Sequence, residues 1–146
     1  MALFVAADGG SPVTVVPHQL LFDGWKKHLE SLEIQAIEIE FDRLVRNKKS
    51  GEIHTASWLP AEICPLGHYD WDGSPFMKIW DKACERDRAR TCWCFGLFLW
   101  EHMMKRPEAW HFKTFDLDHV PMAATRYYRC RRRVYSEGFG TALTSL

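Results

Sequence analysis

Hydrophobic and polar positions change period several times along this chain, and each change predicts an element. Residues 13–16 form a short β-branched run stopped by Pro17, which predicts a strand. Between residues 18 and 31, Leu20, Leu21, Trp25 and Leu29 fall on one helical stripe, with Lys26, Lys27 and Glu30 outside it. Gly24 weakens that helix by about 1 kcal/mol relative to alanine. From Ile34 the period becomes two. Ile37, Ile39 and Phe41 alternate with Glu38, Glu40 and Asp42, the pattern of a half-buried strand. The same residues can extend the preceding helix, but β-branched and aromatic side chains on one face favour the strand. Residues 47–51 then predict a hairpin loop, with Gly51 free to take a positive φ, and residues 53–59 a returning strand.

Residues 60–73 are an irregular connection rich in aromatic side chains. Ser74 followed by Pro75 predicts a helix N-cap and its favoured first-turn proline. Phe76, Ile79, Trp80 and Ala83 continue at helical spacing, and the charged residues 85–88 are either a break or an exposed turn of one long helix. Residues 92–104 are apolar all round except Glu101 and His102, which predicts a central buried helix ended by Pro107. Residues 110–115 and 125–135 have strand composition, and residues 136–146, with Gly138 and Gly140, read as a loosely held tail. The order strand, helix, two strands, two helices, two strands predicts an α+β fold, a mostly antiparallel sheet with helices packed on one face.

Composition narrows this little. A chain of 146 residues with 47% apolar content suits one domain, residues 1–146, and is too apolar for a disordered segment. The apolar start at residues 2–7 has no preceding basic residue and is short for a signal segment, and no run approaches the ~20 residues of a membrane helix. Five cysteines without regular spacing suit reduced thiols, so a cytoplasmic protein without a membrane partner is expected.

Charge matters only once it is divided. The formal net charge is zero, yet residues 1–70 carry −4 and residues 126–146 carry +4. The basic end, read as one strand, places Tyr127, Arg129, Arg131, Arg133 and Tyr135 on one face, a surface suited to phosphates and stacked bases. The competing reading pairs this strand beside the acidic strand of Glu38, Glu40 and Asp42, and is the one favoured here.

Other chemistry is sparse. His68, Asp70 and Asp72 alternate before Gly73 and are weak candidates for a divalent ion, because position twelve of a calcium loop would be Ile79. Cys64, His68, Cys84, Cys92 and Cys94 lack the paired spacing of a zinc site. Asp116-Leu117-Asp118 resembles the first motif of haloacid-dehalogenase-type phosphohydrolases, which implies a nucleophile at Asp116 and a proton-handling group at Asp118. The resemblance covers only these residues, and the chain beyond His119 is too short for that family's later motifs.

Twenty aromatic residues, seven of them tryptophan, are the remaining signal. Trp58, Tyr69, Trp71 and Trp110 lie in or beside loops and can line a pocket for a flat or cationic molecule, with Glu38 and Glu40 favouring a cation. The expectation is a non-enzymatic small-molecule-binding or protein-interaction module without a cofactor, self-associating as a dimer. Nucleic-acid or phosphate binding through residues 126–135 is the first alternative. A small metal-dependent hydrolase with an Asp-x-Asp pair is the second.

Overall fold

The computed structural model describes residues 3–5, 10–116, 120–123, 126–128 and 131–138. It is an α+β fold built on a five-stranded mixed sheet of order β2-β1-β4-β7-β3. The strands are β1 (Leu3–Val5), β2 (Ser11–Pro12), β3 (Glu52–His54), β4 (Trp110–Asp116) and β7 (Arg131–Glu137). β1 runs parallel to β4, and the other neighbours are antiparallel. A separate two-stranded ladder joins β5 (Val120–Ala123) to β6 (Arg126–Tyr128). Among the described residues, three α-helices, α1 (Gln19–Lys26), α2 (Ser31–Arg46) and α3 (Arg88–Met104), accompany the sheet, with a 3-10 turn at Thr55–Trp58 and a π turn at Ile79–Ala83. Among the described residues no helix is long and apolar enough to cross a membrane.

The core lies between one sheet face and α3. Register places Leu3 beside Trp110, and Tyr135 between Phe112 and Ile53, so these five buried side chains share a face. α3 is buried along most of its length, as its all-round apolar sequence predicts, and contributes Phe95, Leu97, Phe98, Leu99 and Met103. Phe22 of α1 meets Phe98 edge to face at 4.8 Å, and Phe41 of α2 lies 5.3 Å from Phe95.

The expected strand at residues 34–42 is a helix, and with it the hairpin disappears. Ile37, Phe41 and Val45 recur every fourth residue and are all buried. Ile39, which completed the alternating pattern, is 69% exposed. The helix start is secured by a capping box between Glu30 and Glu33, and its outer face by the pairs Arg43–Glu40 and Arg46–Asp42. Residues 47–51 therefore link a helix to a short strand. β3 stops at His54 because Thr55 turns away, its hydroxyl donating to the Arg133 carbonyl at 2.9 Å.

Other boundaries also moved. The first strands are β1 and β2, one on each side of residues 6–9; Val13 and Val16 instead follow β2 as buried loop residues. In α1 the buried positions are Phe22 and Trp25, while Leu20 of the expected stripe faces outward at 88% exposure. Ser74 does cap, its hydroxyl accepting from the Phe76 N–H at 3.2 Å. The charged segment is a true break: Glu85 and Arg86 both adopt left-handed backbone, after which Asp87 caps α3 by accepting from the Arg90 N–H.

The basic end is not one strand. β6 belongs to the small ladder, whereas β7 lies inside the main sheet between β4 and β3. It does not pair with residues 38–42, which are helical, so the expected neutralisation of acidic strand by basic strand is corrected. Ser136 and Glu137, expected in the tail, are in β7, and the Glu137 N–H donates to the Gly51 carbonyl at 2.9 Å.

Candidate functional site

The loop between the 3-10 turn and the Ser74 cap brings several of the predicted aromatic residues together. Gly67 makes its fold possible: a Cβ there would sit 2.1 Å from the Leu59 carbonyl oxygen, so only glycine lets the loop lie against that backbone. The Tyr69 N–H then donates to the same carbonyl at 3.2 Å. Trp71 is buried against Phe76 and Phe95, and its indole N–H donates to the Trp58 carbonyl at 2.9 Å. The Tyr69 hydroxyl donates to Glu40 at 2.6 Å and accepts from Arg43 at 3.2 Å. Burial and then the Glu40 carboxylate push the tyrosine up to about 12, whereas the Arg43 hydrogen bond holds Glu40 below the usual carboxylate range.

Beside this cluster lies a cleft of about 140 Å³, lined by Pro60, Glu62, Ile63, Trp71, Asp72, Met77 and Trp80. Of the predicted pocket residues it includes only Trp71. Trp58, Tyr69 and Glu40 support the loop that carries it. Trp110 is fully buried in β4, with its indole N–H on Glu108 and the Lys48 ammonium 5.0 Å from its ring centre. Glu38 is taken up by His102 of α3 at 2.9 Å. Trp80, Glu62 and Met77 were not anticipated as site residues. Trp80 falls one position after the buried Ile79, and that offset was the available signal that it turns outward.

The second charged feature is the seam between α2 and α3. Glu38 and Asp42, one turn apart, meet His102 in the last turn of α3 and Arg106 just beyond its end. Arg106 is 9% exposed and also binds Glu108, which the guanidinium holds down at about 2. Phe41 stacks on the His102 ring at 5.7 Å. Glu38 Oε1 and His102 Nε2 are buried without a hydrogen-bond partner. The seam joins two helices and has no cleft residue in it.

The remaining candidates separate. His68, Asp70 and Asp72 are exposed and lie in an irregular loop, not a strand, with Asp70 accepting from the Asp72 N–H at 2.9 Å. Among the described residues no group of three His, Cys, Asp or Glu side chains is placed to hold a metal ion. Cys84 and Cys94 are buried free thiols, and Cys64 is buried as well. Cys94 is pushed up by burial, and its hydrogen bond to Cys84 lowers the latter. Asp116 ends β4, and Asp118 lies outside the described residues.

The expected phosphate face is divided in the same way. Tyr127 is in β6, Arg131 in β7, and Arg129 lies outside the described residues. Tyr135 is fully buried, and Arg133 passes under α3 with its guanidinium carbon 4.7 Å from the Trp100 ring centre. These two side chains point into the helix layer, so the open five-residue face expected of a single strand is not formed. Comparisons with protein-family models, curated proteins and solved structures found no match.

Proposed function

We propose that the protein is a non-enzymatic binding module that receives a cationic group in the Trp71–Trp80 cleft. One observation carries the reading: two tryptophans and two carboxylates, Glu62 and Asp72, line the same opening, and neither carboxylate is in an ion pair among the described residues. A cation over an indole face gains about 0.5–2 kcal/mol, depending on how far it is desolvated, and the carboxylates add attraction. The opening, at about 140 Å³, is smaller than the ~300 Å³ at which drug-sized ligand pockets begin. It suits a single ammonium or guanidinium head, free or on a partner's side chain.

Calorimetric titration with tetramethylammonium, and with a lysine-containing peptide, tests this. Saturable binding that is lost in Trp80→Ala is expected. Absence of saturable binding by either probe overturns the reading.

Self-association is supported by a separate observation. Leu32 and Ile39, seven residues apart on the outer side of α2, are 75% and 69% exposed. Two turns of apolar stripe on one helix suit a symmetric contact between copies of this chain. Light scattering from micromolar to hundred-micromolar protein should show a dimer that Ile39→Glu dissociates; a monomer throughout would remove this second reading.

A further inference from the structure

The walls of the Trp71–Trp80 cleft suit one kind of cation over another, because their hydrogen-bond acceptors are largely spent. The Pro60 carbonyl already accepts from the Ile63 and Cys64 N–H groups, both at 3.0 Å. The Trp71 carbonyl accepts from the Ser74 N–H at 2.9 Å, and the Trp80 carbonyl from the Arg86 N–H at 2.8 Å. The Trp71 indole N–H is directed to the carbonyl of Trp58, which lies outside the lining. Ile63 and the Met77 thioether complete an apolar wall.

The acceptors that meet an entering donor are therefore chiefly the Glu62 and Asp72 carboxylates, and both residues are exposed, on the solvent side of the cleft. A primary ammonium carries three N–H donors and a guanidinium five. Either can give one or two to the carboxylates. The others must leave water for indole, thioether and aliphatic carbon, where an unmet donor is costly. Methylation replaces each donor with an apolar group and keeps the charge, so the attraction to the indole rings and the carboxylates remains.

We propose that the cleft selects a methylated ammonium head, quaternary above primary, either free or at the end of a methylated lysine side chain. The proposal rests on the cation reading of the cleft and adds the direction of its choice. Trp80, partly exposed on the π turn, supplies a ring for the methyl groups to meet. The two carboxylates supply attraction without requiring a donor in return.

The test is calorimetric titration of the full chain with methylammonium, with tetramethylammonium and with neutral tert-butanol, at constant ionic strength. Affinity should rise about tenfold or more from methylammonium to tetramethylammonium, the factor that one unmet buried donor costs, and tert-butanol should give no saturable heat. A peptide carrying one trimethyllysine should likewise bind more tightly than the same peptide with unmodified lysine. Binding of that peptide tighter than tetramethylammonium assigns the head to a partner's side chain, and weaker binding assigns it to a free ligand. Trp80→Leu keeps an apolar wall without the ring and should lose the preference, with circular dichroism confirming that the variant is folded. Equal affinity of wild type for methylammonium and tetramethylammonium overturns the proposal and leaves the cation reading standing. No saturable binding of any ammonium, or tert-butanol bound as tightly as tetramethylammonium, overturns both.

Discussion

The α2–α3 seam and the Trp71–Trp80 cleft use the same charged residue types for different ends. In the seam the acidic groups of α2 have basic counterparts: Glu38 has His102 of α3, and Asp42 has Arg106 just beyond the end of that helix. At the cleft, Glu62 and Asp72 are exposed beside tryptophan and in no ion pair among the described residues. A charge already neutralised inside a protein holds elements in register and has little left to offer a ligand. A carboxylate left open beside indole faces costs the fold almost nothing and remains available. Stability and binding should therefore separate between the two regions.

The largest separation is expected at Arg106. Arg106→Ala leaves Glu108 without its counter-charge, while Asp42 keeps Arg46, and removing one partner of a fully buried pair costs about 3–5 kcal/mol. Both carboxylates are about one-third exposed, so a smaller loss of roughly 2–3 kcal/mol is expected. Urea unfolding measures it. Cation binding by the folded fraction should be unchanged.

Gly67→Ala should disturb both properties. Its Cβ would meet the Leu59 backbone at 2.1 Å, and the loop must shift to admit it. Overpacking of this kind costs about 1–3 kcal/mol, and tetramethylammonium affinity should fall with it because the same loop carries Trp71 and Asp72. A variant that keeps full affinity would show that the loop does not position the cleft.

Acid separates the regions without mutation. Glu108 is depressed to about 2, and Asp42, Glu40 and Glu33 are lowered as well. Because folded-state values lie below unfolded ones, the stability these groups confer is complete above the unfolded pKa of about 4.3. It is lost as pH falls toward 2. Unfolding free energy should therefore decline between about pH 4.5 and 2, and decline less steeply in Arg106→Ala, whose Glu108 titrates nearer its ordinary value.

The smallest effect is expected at Tyr69. Tyr69→Phe removes one hydrogen bond to Glu40, which keeps Arg43, and should cost about 1 kcal/mol in urea unfolding.

What could be seen in the sequence follows how local its cause is. The Ser74 cap and the buried α3 rest on neighbouring residues and were legible, whereas residues 85–88 read equally as a break or as an exposed turn, and the left-handed backbone at Glu85 and Arg86 decides it. α2 was misread because Ile37, Ile39 and Phe41 satisfy a period of two, while Ile37, Phe41 and Val45 satisfy a helix. Only tertiary burial decides that Ile39 faces out. The mistake propagated: Glu38, Glu40 and Asp42 seemed to share one face, whereas on a helix Glu38 and Asp42 turn to α3 and Glu40 turns to Tyr69. β7 sits centrally through pairings with β4 and β3 that are distant in sequence, so nothing local marked Tyr135 as buried. The site was half-legible in the same sense. Trp71 stood out as a loop aromatic, but Trp80 looked like one more core residue of a helix, and Glu62 had no pattern at all.

The central claim, that unpaired carboxylates beside tryptophan define the binding end, is tested most directly by one pair of titrations. Tetramethylammonium is titrated into wild type and into the double variant Glu62→Gln, Asp72→Asn, with urea unfolding of both. The account predicts saturable binding by wild type, affinity reduced about tenfold or more in the variant, and unfolding free energies within ~0.5 kcal/mol of each other, as for surface substitutions. Equal affinity in the two proteins would contradict it.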